Sequence, residues 1–370
     1  MRIHAPLPHH RALPPGACPL WQRISALDLQ TVAVMGMSKN TGKTVCLNHL
    51  LAQAHADHKA VGITSIGRDG EARDQVFSIP KPSVRVTPGC LVATAKDTLL
   101  RSKVRTQSIG ATGVDTPMGE VLIVKALESG AMEVAGPSRS HDQHKVMALL
   151  RQCGAHMVLI DGALGRSQHA SPAIADGVIL STGAAIGGDM DDVLRKTRDR
   201  LDTLCVATAP ADLAAHVQTT FDQGGVGVWR RDGACLFQDA IATINAAPTL
   251  LSLPGADIGT IAVSGAVGHL LWQAVRTLLA RHPGLTLVVA DGTKLFIDAM
   301  ALAAFKQAGG RLAAMRGIRL IGLTLNPWSP WGGSFEASAF LARGRTAFAK
   351  HVVTDVMQPS LKEGPCPTSR

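Results

Sequence analysis

The sequence predicts an α/β protein built on a mainly parallel sheet covered by helices, and three observations carry that prediction. Short runs rich in Val, Ile, Leu and Ala (TVAVMG, AVGITSIG, AHMVLIDG, DGVILSTG) alternate with helix-length stretches such as KTVCLNHLLAQAHA and DMDDVLRKTRDRLDTL. Strands buried on both faces read as unbroken apolar runs, whereas a half-solvated antiparallel sheet alternates polar and apolar residues. The alternation resumes after Thr260 with TIAVSG, LTLVVADG and IRLIGLTLNP, so a second α/β unit or an extension of the first sheet is expected there. Finally, 370 residues at 46% hydrophobic content are enough for one large or two ordinary domains, each with a core.

Taken in chain order, residues 1–28 are basic, broken by prolines and without the apolar run of a secretory signal, which reads as a flexible leader. Residues 29–207 hold the first strand and helix alternation and form the first domain. Inside it, EVLIVKALESGAMEVAG places two apolar runs around Glu128-Ser129-Gly130, the pattern of a hairpin. Residues 208–258 fit neither period and read as a linker or irregular segment. Residues 259–358 form the second α/β unit, and 359–370 a tail.

Composition narrows the partners. No apolar stretch reaches the length of a membrane-spanning helix, so no membrane partner is expected. Seven cysteines show no C-x-x-C and no metal or disulfide spacing, which fits a reducing cytoplasm. The net charge of +9 is scattered, and the densest basic runs, LRKTRDR and WRRDG, are interleaved with Asp. With no tyrosine and 4% aromatic residues, a base-stacking nucleic-acid surface is not expected.

The stretch TVAVMGMSKNTGKTVCLNHLL, Thr31 to Leu51, carries the strongest chemical signal. The usual phosphate-binding pattern is G-x-x-x-x-G-K-[ST]. Here five residues separate Gly36 from Gly42, so the pattern is missed by one. Its physical requirements are still met. Gly36 lets the chain leave the strand, Gly42 permits close backbone approach, and the amides of Asn40, Thr41 and on to Val45 are placed to meet phosphate oxygens at a helix N-terminus. Lys43 is expected to meet the β and γ phosphates and Thr44 to ligate Mg2+. Lys39, inside the loop, either adds a second positive charge over the phosphates or faces solvent.

A second magnesium anchor belongs at the end of a neighbouring strand. Asp161 in HMVLIDG fits, because the apolar run delivers a carboxylate to the sheet edge; its alternative is the first residue of a turn. Asp69 and Glu71, in TSIGRDGE, either complete the metal site or orient the attacking water, or else form an ordinary Asp-Gly turn. His141 and His144 have metal-like spacing but no third ligand, and read as a surface helix. The D-x-H-x-x-G loop of many cobalamin proteins is absent, and no lysine stands in the context of a pyridoxal phosphate Schiff base. Neither cofactor is expected on this chain.

The longer spacing resembles the loops of dethiobiotin synthetase and the cobyrinic acid amide synthases, a branch of the P-loop NTPases. That resemblance implies a P-loop NTPase fold and ATP. It also implies a role for Asn326 in LTLNPWSP, since an asparagine ending a strand reads adenine in dethiobiotin synthetase; a plain Asn-Pro turn is the alternative. The order of the blocks MGMSKNTGKT, TSIGRDGE, IPKPSVRVTPGCLVATA, TPMGEVLIVKALESGAMEVAGPS, VLIDGALGRSQHASPAIADGVILSTGA, ADGTKLFI, LTLNPWSP and TDVM resembles the KamB family, subunits of the lysine 5,6-aminomutase reactivase, over about residues 30–357. The resemblance implies an ATPase that acts with a KamC-like second subunit on an aminomutase using adenosylcobalamin and pyridoxal phosphate, and promotes release of damaged cobalamin.

The competing expectation is an amide- or ring-forming synthetase, in which a phosphorylated carboxylate is captured by an amine. Lys81 and Arg166 are candidates for holding that carboxylate. A GTP-dependent metal or cobalamin chaperone is disfavoured by the absence of the guanine-reading N-K-x-D.

Overall fold

The computed structural model describes residues 18–66, 83–162, 171–253 and 257–358. Helix α1 (Pro19–Ala26) precedes strand β1 (Thr31–Gly36), helix α2 (Lys43–Ala56) and strand β2 (Val61–Ser65). Next come β3 (Val84–Val86), β4 (Leu91–Ala95), α3 (Lys96–Leu100), β5 (Thr106–Thr116), β6 (Gly119–Ala126) and β7 (Gly130–Met132). Helix α4 (Ser140–Gln152) leads into β8 (Met157–Asp161), and β9 (Gly177–Gly183) leads into α5 (Met190–Leu204). Then follow α6 (Ala211–Gln223), β10 (Val226–Arg230), β11 (Cys235–Asp239), α7 (Ala246–Ser252), β12 (Ile258–Val263), α8 (His269–Arg281) and β13 (Thr286–Val289). The last elements are α9 (Ala299–Gln307), β14 (Arg311–Ala314), β15 (Leu320–Asn326), α10 (Ala337–Ala347) and β16 (Val353–Thr354).

A nine-stranded sheet has the order β16-β15-β9-β1-β8-β2-β4-β6-β5. It is parallel from β16 through β4, and β6 and β5 extend it antiparallel. Alternation along β1 explains why it must be covered twice. Val32 and Val34 pack with Leu20, Trp21 and Ile24 of α1 and Leu47 and Leu50 of α2. On the other face Ala33 packs with Val146, Met147 and Leu150 of α4, while Met35 packs with Val193 and Leu201 of α5 and Phe340 of α10. Burial on both faces is why the strand reads as one apolar run.

The chain leaves β1 through α2 for β2 on one side, then returns from β8 across β1 to β9 on the other. Where the direction of winding reverses, a crevice opens outside the carboxyl ends of the strands. Gly36, Asp161 and Asn326 all stand on that edge, as the last residues of β1, β8 and β15.

The sequence-based boundaries shift in four places. The leader proposed for 1–28 contains α1 within its described part; Leu20, Trp21 and Ile24 are buried, and Trp21 Nε1 donates to Asp57 at 2.5 Å. Upstream prolines obscured that short amphipathic signal. Residues 208–258 contain no free linker across their described part: α6, β10, β11 and α7 belong to a five-stranded sheet, β11-β10-β12-β13-β14. Edge strand β11 is only half-covered, so CLFQD lacks a full apolar run. The unit proposed for 259–358 divides, because β12 to β14 complete that second sheet while β15, α10 and β16 return to the first. No hairpin forms around Glu128 either; β6 pairs with β4 and β5, and β7 pairs with β3.

The second sheet has its own core, with Val226, Ile261, Leu287 and Phe305 at or below 1% exposure. It touches the first unit through Ser171, whose hydroxyl donates to the buried Asp291 carboxylate at 2.7 Å. Among the described residues no helix is long and apolar enough to cross a membrane.

Candidate functional site

Strand β1 delivers Gly36 to the carboxyl edge, and six loop residues later α2 begins at Lys43. Asn40 and Gly42 both lie in the left-handed region, at φ 64° and 89°. Asparagine and glycine are the residues that tolerate that conformation. The loop is fastened from within by the Thr41 hydroxyl, which donates to the Ser38 carbonyl at 2.9 Å, and from outside by the Met37 amide on the Ser181 carbonyl of β9 at 2.8 Å. Among the described residues no side chain caps α2, and its first turn holds no acidic residue. A helix start without a side-chain cap presents amide donors and a positive dipole end, the features that attract anions.

Lys43 folds back over the strand end. Its Nζ donates to the Gly162 carbonyl at 2.6 Å, and a Cβ on Gly36 would sit 2.8 Å from both Cγ and Cδ of Lys43. Gly36 is therefore required by the lysine stem lying on it. Gly162 is equally constrained: its amide donates to the Val34 carbonyl at 3.0 Å, and a Cβ there would meet the same oxygen at 2.8 Å. Asp161 precedes Gly162 on β8, in register with Val34 of β1 and Ser65 of β2. Thr44 is buried in the first turn of α2, and Asp161 is half-buried. Lys39 lies exposed on the loop and Val45 is half-buried in the first turn.

Asn326 closes the loop from the far side. Its Nδ2 donates to the Asn40 carbonyl at 2.8 Å, and its Oδ1 accepts from the Trp328 amide at 3.2 Å. A cleft of about 500 Å³ opens beside the loop, lined by Met37, Ser38, Ala185, Ile186, Lys196 and Asp199.

The fold thus brings Gly36, Lys39, Asn40, Thr41, Gly42, Lys43, Thr44, Val45, Asp161 and Asn326 to one sheet edge. Asp69, Glu71, Lys81 and Arg166 lie outside the described residues. His144 is engaged by the Ser140 and Ala173 carbonyls, and no group of three His, Cys, Asp or Glu that could hold a metal occurs among the described residues. Sequence reasoning missed the Gly162 carbonyl as the seat of Lys43, although the glycine directly after the strand-end aspartate was its visible signal. Comparison with known protein families, with curated proteins and with solved structures found no match.

Proposed function

We propose that the chain binds ATP with Mg2+ on the loop from Gly36 to Thr44 and hydrolyses it to remodel a partner protein. The observation that carries this reading is the Lys43 ammonium, held 2.6 Å from the Gly162 carbonyl directly after Asp161. A lysine at a helix start, beside a strand-end carboxylate on the adjacent strand, is the arrangement that phosphoryl transfer needs. The strand order fits a P-loop NTPase, with the carboxylate strand β8 next to the loop strand β1.

In this reading Lys43 leaves the Gly162 carbonyl for the β and γ phosphate oxygens, and the amides of Gly42 to Val45 hold the same oxygens. Thr44 and Asp161 would hold the magnesium ion. Magnesium sites of that kind need only one or two protein ligands, a number that Thr44 and Asp161 would supply. Held by these residues, the cation would supply neutralisation of the charge that develops on the transferred phosphoryl group.

The partner reading follows from the order of sequence blocks: a KamC-like second subunit and an adenosylcobalamin-dependent aminomutase of the lysine 5,6-aminomutase type, in the cytoplasm. Work on such a partner comes from its differential affinity for the ATP and ADP states. The test is to inactivate an aminomutase by turnover, then add this protein, the second subunit, Mg·ATP and fresh adenosylcobalamin. Recovery of mutase activity should require ATP and be lost with Lys43→Ala; recovery without ATP refutes the mechanism.

The cleft beside the loop supports a second reading, a synthetase that phosphorylates a small carboxylate there. That enzyme's ATP turnover would rise with the small substrate and need no protein partner.

A further inference from the structure

We propose that Ser181 is a positioning residue for the loop between Gly36 and Lys43: its buried hydroxyl bonds to Thr41 once Lys43 has moved onto phosphate oxygens. The inference rests on the nucleotide reading of that loop and adds to it a residue that touches neither phosphate nor cation.

Ser181 lies in the interior of the nine-stranded sheet, on β9 between β1 and β15. It is 0% exposed, and its Oγ has no hydrogen-bond partner among the described residues. A hydroxyl taken out of water without a partner is costly, so one kept at such a place calls for a use. The alternation along β9 says which way it points. Val178 and Leu180 pack with residues of α5 and α10, and the Thr182 hydroxyl shares a hydrogen bond with Thr197 of α5 at 2.7 Å. Ile179 packs on the opposite face, with Leu47 and Leu50 of α2. Ser181 is in phase with Ile179 and therefore faces α2, whose first turn carries Lys43 and Thr44.

Register places it under the loop. Ser181 pairs with Gly36 in the ladder between β1 and β9, and its carbonyl already accepts the Met37 amide at 2.8 Å. Gly36 has no side chain, and two neighbours fill the space above it. A Cβ there would stand 2.7 Å from the Thr41 hydroxyl and 2.8 Å from the Lys43 stem. Adjacent strands lie about 4.8 Å apart, so the hydroxyls of Ser181 and Thr41 sit over one residue pair. The Thr41 hydroxyl donates to the Ser38 carbonyl and keeps lone pairs with which to accept. While the lysine stem lies on Gly36, it shares that space with Thr41. When Nζ leaves the Gly162 carbonyl for phosphate, the stem lifts and Thr41 settles towards Ser181. The bond formed then ties the loop to β9 and satisfies a buried hydroxyl that the present arrangement leaves unmatched. Phosphate is thus favoured by one arrangement of the loop over the other, which is the condition for a ligand to shift between them.

Full-length wild type, Ser181→Ala, Ser181→Cys, Thr41→Val and the double variant Ser181→Ala/Thr41→Val are compared by thermal melting and by calorimetric titration with Mg·ATP and inorganic tripolyphosphate. Ser181→Ala should melt no lower than wild type without ligand, because it discards an unmatched hydroxyl, yet bind both ligands about tenfold more weakly. Ser181→Cys, close in shape but a weaker donor, should fall between the two. In the double variant the loss should be smaller than the product of the two single losses, the coupling expected of groups in contact. A lower melting temperature in Ser181→Ala means that the hydroxyl already has its bond, and overturns the proposal. Independent losses in the double variant overturn it as well, and so does a loss confined to ATP. Wild-type protein that binds neither ligand refutes the phosphate-loop reading and this inference with it. Normal binding by wild type with unchanged affinity in Ser181→Ala refutes the inference alone.

Discussion

Asn326 holds Asn40 across a sequence separation of 286 residues, its Nδ2 lying 2.8 Å from the Asn40 carbonyl. Asn40 is in the left-handed conformation, so this bond fixes a backbone segment with few alternative geometries. Asn326→Ala leaves that half-buried carbonyl without its donor, at about 1 kcal/mol. Calorimetry should show Mg·ATP binding weakened roughly fivefold with the fold retained. Unchanged affinity would mean the bond does not shape the loop.

Gly36→Ala tests the seat of Lys43. The added methyl meets the Lys43 stem at 2.8 Å and the buried Thr41 hydroxyl at 2.7 Å, so the loop must give way and Lys43 is displaced, while the sheet that Gly36 only terminates stays paired. We expect a melting temperature close to wild type and loss of ATP hydrolysis, as in Lys43→Ala. Wild-type turnover in Gly36→Ala would remove the need for this lysine geometry.

Under the proposed function, Asp161→Asn would remove one anionic ligand of the metal and leave the loop that holds the phosphates in place. Hydrolysis should need a higher magnesium concentration, with some nucleotide binding preserved. A magnesium titration that superimposes on wild type would falsify the metal role of Asp161.

Asp355, just beyond β16, is 3% exposed, and its burial pushes the carboxyl pKa above the ordinary value despite a hydrogen bond from the Met357 amide. The folded state therefore holds this proton more tightly than the unfolded chain. That contribution is fully present below the ordinary value of 3.8 and is lost as pH rises through the raised one. Asp355→Asn should melt at a higher temperature than wild type at neutral pH, with the gap closing in acid. A gap that persists in acid contradicts the assignment.

Strands β1, β2, β8 and β9 were legible because burial on both faces writes an unbroken apolar run, and α2 because a glycine-lysine turn announces its start. Helix α1 and strand β11 were not, since one is short and follows a proline-rich stretch and the other is a half-covered edge. The return of β15 to the first sheet was open in the sequence, because LIGLTLN suits the centre of either sheet. At the site, Gly36 to Val45 could be read locally: all the requirements lie within one turn. The bonds from Lys43 to Gly162 and from Asn326 to Asn40 could not, because no local pattern encodes a contact between distant segments.

Strands β9 and β15 pair, with Val178 against Leu320, although 142 positions (320 − 178) separate these two residues. The whole second sheet is threaded between them. During synthesis the loop after β1 emerges early, yet the asparagine bonded to it emerges after the intervening sheet. Closing a long loop is slow when the enclosed chain is loose and quicker when that chain has already condensed. The contact between Asn326 and Asn40 therefore forms late and reports on the whole molecule: a chain whose inserted sheet has misfolded lacks the finished loop, and under the proposed function it would not consume ATP before it is whole.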